Sequence, residues 1–185
     1  MNTSDKINIF KFLKIHRKET ISSQFIVSIL NIRDEETNKK PYLELFLKKI
    51  ECSDYLSSCE WSVRVEKPLH SKGNKDMKYG RADIFIESKS EHDRKRIIIE
   101  NKIDAADQFN QLVNYRSYLN ERGSGKLYYL NLLGEPASPS STKGSSNMEI
   151  KYRNPDLGYE VITYNDHILK WLEKVKKETS NELLK

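Results

Sequence analysis

An α/β fold is predicted for this chain of 185 residues, with a short mixed sheet of about five strands, an antiparallel hairpin at its centre and helices to either side. Three observations predict it. Residues recur at steps of three and four over 5–51, the helical period. From Trp61 the period changes to two in runs rich in Val and Ile, the strand signal. A helical period then returns twice, over 104–121 and 165–178, separated by two further strand-like runs. The length fits one domain over 1–185, with a helical layer at 1–51 and a sheet core at 60–178. Apolar residues at 37% and charged residues at 32%, with 7 Gly and 5 Pro, exclude disordered and fibrous chains.

The N-terminal layer rests on Ile7, Phe10 and Lys14, then Ile21, Phe25 and Ile29, then Leu43, Leu47 and Ile50. Pro41 suits the first turn of the third helix, where its missing N–H costs nothing. WSVRVEKP, RADIFIE and RKRIIIENK are the first three strands. SKSEHDRK, between the second and third, is too short for a crossover helix, so that pair is a hairpin. Centred between Glu91 and His92, it sets Asp83 opposite Glu100, with Cβ atoms about 5 Å apart.

DAADQFNQLVNYRSYLNE is read as a helix with Asp104 as its N-cap, Ala105, Phe109, Leu112 and Leu119 facing inward, and Gly123 at its end. KLYYLNLL and YEVITY are the fourth and fifth strands, and NDHILKWLEKVKKE is a closing helix with Ile168, Leu172 and Val175 inward. Tyr128, Tyr129 and Trp171 fall in these patterns as packing residues. GEPASPSSTKGSSNM reads as a long mobile loop, and the chain has no internal repeat.

Several functions are excluded at once. No stretch approaches the roughly 18 apolar residues of a membrane span. The N-terminus mixes charge into every turn and lacks a signal-peptide pattern, so a cytoplasmic protein is expected. Cys52 and Cys59 have no other His or Cys near enough in sequence to complete a zinc site and read as reduced thiols. His16, His70, His92 and His167 have no mutual spacing suited to zinc or to a nucleophile relay. The formal charge of +5 permits an anionic partner without demonstrating one.

The chemistry concentrates in the central hairpin. Strand alternation puts Glu100 and Lys102 on one face and Asn101 on the other. With Asp83 opposite Glu100, two carboxylates and an ammonium converge, and two like charges so close need a cation or a proton. Mg²⁺, with its taste for one or two carboxylates plus substrate phosphate, answers that need. A charge directly after the buried-looking run Ile97, Ile98 and Ile99 also needs a reason. Gln108, Gln111 and Tyr115, at i, i+3 and i+7, share one helix face. Lys67, His70, Lys72, Lys75, Lys78 and Arg81 gather just before Asp83, as a phosphate-tracking loop or a solvated one. Glu66, one strand earlier, could be a further metal-side carboxylate, but its alternation with Val63 and Val65 suits a solvent-facing residue better, and it is left out of the catalytic set.

Asp83 in GRADIFIE, followed by IIIENK, resembles the core motif of the PD-(D/E)XK nuclease superfamily, with Ala82-Asp83 in place of Pro-Asp. The helix with Gln108, Gln111, Leu112 and Tyr115, the leading segments NIFKFL, Glu19 with Ser23 and Phe25, and YLELFLKKI are similar to family 4 of that superfamily, found in bacteria and phages. The chain departs from that branch at Ser22-Ser23 and at TNKKP, neither of which touches the acid-acid-lysine core. The resemblance implies a restriction-endonuclease-like core and hydrolysis of phosphodiesters in DNA, less often RNA. It implies Mg²⁺ or Mn²⁺ held by Asp83 and Glu100, with Lys102 catalytic and Glu19, Gln108 and Gln111 in support. It also suggests phage, mobile-element or defence work. Cutting both strands of a duplex would need a homodimer or sequential nicking. The rival from another class is an inactive nucleic-acid-binding or protein-interaction module on the same scaffold. A third reading is a basic domain whose hairpin charges are structural.

Overall fold

The computed structural model describes residues 18–57, 60–73, 76, 78–90, 94–123, 125–142 and 157–179. The helix expected over 5–17, together with His16, Cys59, Lys75, His92 and the 143–148 part of the Ser- and Pro-rich loop, lies outside them.

The runs of alternating Val, Ile and aromatic residues form five strands: β1 (Trp61–His70), β2 (Lys78–Ser88), β3 (Arg96–Asn101), β4 (Lys126–Asn131) and β5 (Tyr159–Thr163). They lie in sequence order in one sheet. β1, β2 and β3 pair antiparallel, whereas β3, β4 and β5 pair parallel. The predicted mixed sheet with a central hairpin is therefore the fold. Its register, Ile84 with Ile99 through Glu87 with Arg96, is the predicted one. Arg96 Nε donates to Glu87 Oε1 at 2.8 Å across that pair, which helps hold the strands against slippage.

Alternation divides the core between the two faces. Ile84, Ile86, Ile97 and Ile99 pack with α1 (Glu19–Leu30), α2 (Pro41–Lys49) and the closing helix, whose Trp171 is fully buried. Phe85 and Ile98 point the other way, onto α3 (Gln111–Asn120) with its Leu112, Tyr115 and Leu119. Pro41 opens α2 as expected, and a short turn, Ser53–Ser57, leads to β1. Tyr128 Oη donates to Ile50 O at 2.9 Å and lies 3.0 Å from the buried Cys52 Sγ. The chain passes from β5 through a π-helical turn, Tyr164–Leu169, into the closing helix Lys170–Glu178. His167 Nδ1 accepts the Thr163 N–H in that turn, so this histidine caps backbone. No helix among the described residues is long and apolar enough to cross a membrane.

Three elements differ from expectation. The helix predicted from Asp104 begins only at Gln111, because Asn110 takes a left-handed conformation with φ 57°. Asp104 is not its N-cap, and Ala105 and Phe109 are exposed instead of inward. β4 stops at Asn131, whose Oδ1 accepts the N–H groups of Leu133 and Gly134 and turns the chain out of the sheet. The first half of the expected mobile loop is folded. A short helix, α4 (Pro139–Thr142), packs there with Ser141 fully buried. In chain order the closing helix is thus α5.

Gly125, just before β4, shows how tightly α3 sits on the sheet. A Cβ there would come within 2.5 Å of Leu119 Cδ2 on α3 and 2.9 Å of the Arg96 carbonyl oxygen on β3. Gly125→Ala is expected to lower stability by about 1–3 kcal/mol through overpacking. Urea denaturation checks this; an unchanged midpoint would show that the backbone yields freely.

Candidate active site

The β2–β3 pairing ends at Ile84 with Ile99, and one further step of its register sets Asp83, midway along β2, opposite Glu100. Asp83 Oδ2 accepts the Asn101 N–H at 2.8 Å. Lys102 follows on the same face, its backbone N–H extending the ladder to Leu130 O at 2.8 Å. Its Nζ lies 2.8 Å from Glu100 Oε1. Glu100 is 1% exposed. Burying such a group costs several kcal/mol. The fully buried Ile97, Ile98 and Ile99 contribute roughly 1.5–3 kcal/mol each. The strand can therefore carry a buried acid at its end.

Burial raises the pKa of Glu100 to about 8, the Asp83 charge adding to it and Lys102 and Tyr115 opposing it. Burial likewise raises Asp83, against the Asn101 N–H and Lys102. Burial alone would lower Lys102, but Glu100, with Glu19 and Asp83, outweighs it and holds the ammonium above its ordinary value. The pair of acids thus keeps a proton near neutrality unless a cation replaces it. Among the described residues no three His, Cys, Asp or Glu converge as a metal-binding group. Two facing carboxylates whose pKa values are both raised suit a hard divalent cation that takes its remaining ligands from water or phosphate.

The supporting residues come from both sides of the sheet. From α3, the Tyr115 hydroxyl sits 3.0 Å from Glu100 Oε2 and 2.6 Å from Arg81 O, and accepts from Gln111 Nε2 at 3.2 Å. Gln111 is buried, with its Oε1 left without a hydrogen-bond partner. From α1, Glu19 Oε1 accepts the N–H groups of Ile103, Asp104 and Ala105 at 2.7, 3.3 and 3.1 Å. A helix some 85 residues upstream therefore ties down the segment directly after Lys102. Asn101, fully buried on the opposite face, donates to Glu19 O and Ser23 Oγ and accepts from Tyr164 Oη.

All six residues singled out from the sequence, Glu19, Asp83, Glu100, Lys102, Gln108 and Gln111, line one cleft of about 640 Å³. Gln108 does so from the loop before α3, not from the helix face it was expected to share with Gln111 and Tyr115. Of the basic loop, His70, Lys78 and Arg81 line the cleft. Sequence reasoning misplaced Glu66. It lines the same cleft, faces Asp83 between the Val65–Ile84 and Lys67–Ala82 pairs, and makes an ion pair with Arg81 at 3.3 Å. Alternation does set it on the face away from Val63 and Val65, but that face carries the cleft beside Tyr115 and Gln111, not open solvent. The tether made by Asn101 was also missed, and its signal was a polar residue pointing from a buried strand toward the helical layer.

Comparison with known proteins agrees with this geometry. Searches of curated proteins and of solved structures found no match. A family-4 model of the PD-(D/E)XK nucleases matches residues 7–185, so the helical layer, the hairpin and the closing helix are all included. On that match the chain belongs to the PD-(D/E)XK nuclease superfamily.

Proposed function

We propose that the protein is a Mg²⁺- or Mn²⁺-dependent nuclease that hydrolyses phosphodiester bonds in DNA, working in the cytoplasm in a phage, mobile-element or defence setting. The observation that carries this reading is the Lys102 ammonium 2.8 Å from Glu100 beside Asp83, on the floor of a cleft edged by Lys78 and Arg81. Asp83 and Glu100 would hold the ion. When bound it supplies Lewis acidity toward the phosphate and lowers the pKa of the attacking water.

Lys102 orients that water and offsets the charge that builds on the phosphate as the P–O bond to the leaving sugar oxygen breaks. Tyr115 and Gln111 fix the Glu100 carboxyl from behind. Glu19 acts on Lys102 indirectly, by holding the N–H groups of the three residues that follow it. Lys78 and Arg81 position the backbone without reading sequence. One copy then nicks, and a double-strand break takes two copies or two visits.

The experiment is cleavage of supercoiled plasmid, linear duplex and single strands in Mg²⁺, Mn²⁺ or EDTA, with wild type beside Asp83→Asn. Metal-dependent cutting that Asp83→Asn loses is the expected result. Salt-sensitive DNA binding without cutting in any metal would instead support a binding module on the nuclease scaffold.

A further inference from the structure

We infer that Phe109 is a stacking platform for a nucleobase and makes an unpaired strand the preferred substrate of the cleft. This rests on the nuclease reading above and adds the substrate class to it. Phe109 is 67% exposed and belongs to neither hydrophobic core. It is nevertheless not on open surface, because it lines the cleft that holds Asp83 and Lys102, with Lys78 and Arg81 of β2 in the same lining.

The turn that presents the ring is anchored along its length. The Asp107 carboxylate accepts from Tyr129 Oη at 3.0 Å and from the Ser138 N–H at 2.6 Å. The Asn110 N–H donates to Ser140 O at 2.8 Å, and Glu19 holds Ala105 at the other end. An aromatic side chain held out into water on a tethered turn has little ordering entropy left to lose when a flat partner stacks on it. Amphipathic packing does not explain its position, since the helix on which it would have faced inward starts two residues later.

Cations and an aromatic ring in one cleft are the recognition elements of a single strand, whose backbone follows the charges while a base stacks on the ring. In a duplex each base face is covered by its neighbours, so only an unpaired or extruded nucleotide offers a face to Phe109. The substrate class is accordingly single-stranded or locally melted nucleic acid, with the nucleotide beside the scissile phosphate unstacked.

The test measures binding of a fluorescent oligothymidylate and of a fluorescent blunt hairpin duplex to the full chain in EDTA, for wild type, Phe109→Ala and Phe109→Trp. Circular dichroism checks that each variant is folded. Phe109→Ala is expected to weaken oligothymidylate binding by about 5- to 100-fold and leave duplex binding within about 2-fold. Phe109→Trp retains affinity for the single strand, and the emission of the new indole is quenched by it. Equal loss for both probes, or no loss for either, overturns the inference. Metal-dependent cleavage of both strand types that Phe109→Ala leaves untouched would overturn the inference alone. Neither binding nor cleavage of any nucleic acid by wild type would overturn the nuclease reading along with it.

Discussion

Lys102→Met is expected to cut the rate of metal-dependent plasmid nicking by about 10²–10⁴-fold while the protein stays folded. Methionine keeps an unbranched stem of similar reach and packs adaptably, so the nearly buried side chain loses its charge but little of its contact. What disappears is the ammonium 2.8 Å from Glu100 Oε1. Among the described residues, no other cation pairs with Glu100. Its carboxyl would then hold its proton more firmly, since burial and Asp83 already raise it and Lys102 is the first influence opposing them. The fold tolerates this because a neutral carboxyl still has the Tyr115 hydroxyl 3.0 Å away. Nicking rates in Mg²⁺ together with urea denaturation separate the two effects. An unchanged rate in a folded variant would remove Lys102 from the chemistry.

Glu100→Gln is expected to abolish cleavage and also to change how stability depends on pH in metal-free protein. The folded-state pKa of about 8 lies above the ordinary 4.5. Below 4.5 the carboxyl keeps its proton in the folded and unfolded chains alike, and its contribution is fully present. Between 4.5 and about 8 the unfolded chain releases the proton while the fold retains it, so stability falls through this window and levels off above it. The fall attributable to Glu100 is on the order of a few kcal/mol. The amide cannot ionise, so Glu100→Gln flattens that part of the profile. Thermal melts in EDTA at about pH 5 and about pH 9 test it, and parallel profiles for the two proteins would contradict the buried-acid account. Adding Mg²⁺ at the higher pH is expected to restore more stability to wild type than to Glu100→Gln, because the ion takes the place of the missing proton.

The central hairpin was legible because its register depends on few variables. Two period-two runs with a short charged connection can pair in few ways, and keeping isoleucines against both cores leaves one. Asp83 opposite Glu100 follows from that register, as does Lys102 on the face of Glu100. The burial of Glu100 was readable from Ile97, Ile98 and Ile99, since a strand covered on both faces buries whatever continues it.

The segment from Asp104 to Asn110 was misread for the opposite reason. Its spacing is helical, but Glu19 captures the N–H groups at its start and Tyr129 and Ser138 bind the Asp107 carboxylate at its middle. Hydrogen bonds to residues distant in sequence outweighed a local propensity worth tenths of a kcal/mol per residue. Glu66 escaped for a related reason: alternation gives its side of the sheet, but not that α3 and the loop before it wall that side into a cleft.

The sequence by itself determined the order of the strands, the hairpin register and the identity of the acid-acid-lysine group, because periodicity and loop length are properties of consecutive residues. Only the tertiary structure decided that Tyr115 and Glu19 hold that group from opposite faces, that Glu66 joins the cleft and that Phe109 stands exposed within it. Each of these depends on which distant donor, acceptor or apolar surface arrives when the faces of the sheet are covered. Packing in three dimensions, not spacing along the chain, makes that choice.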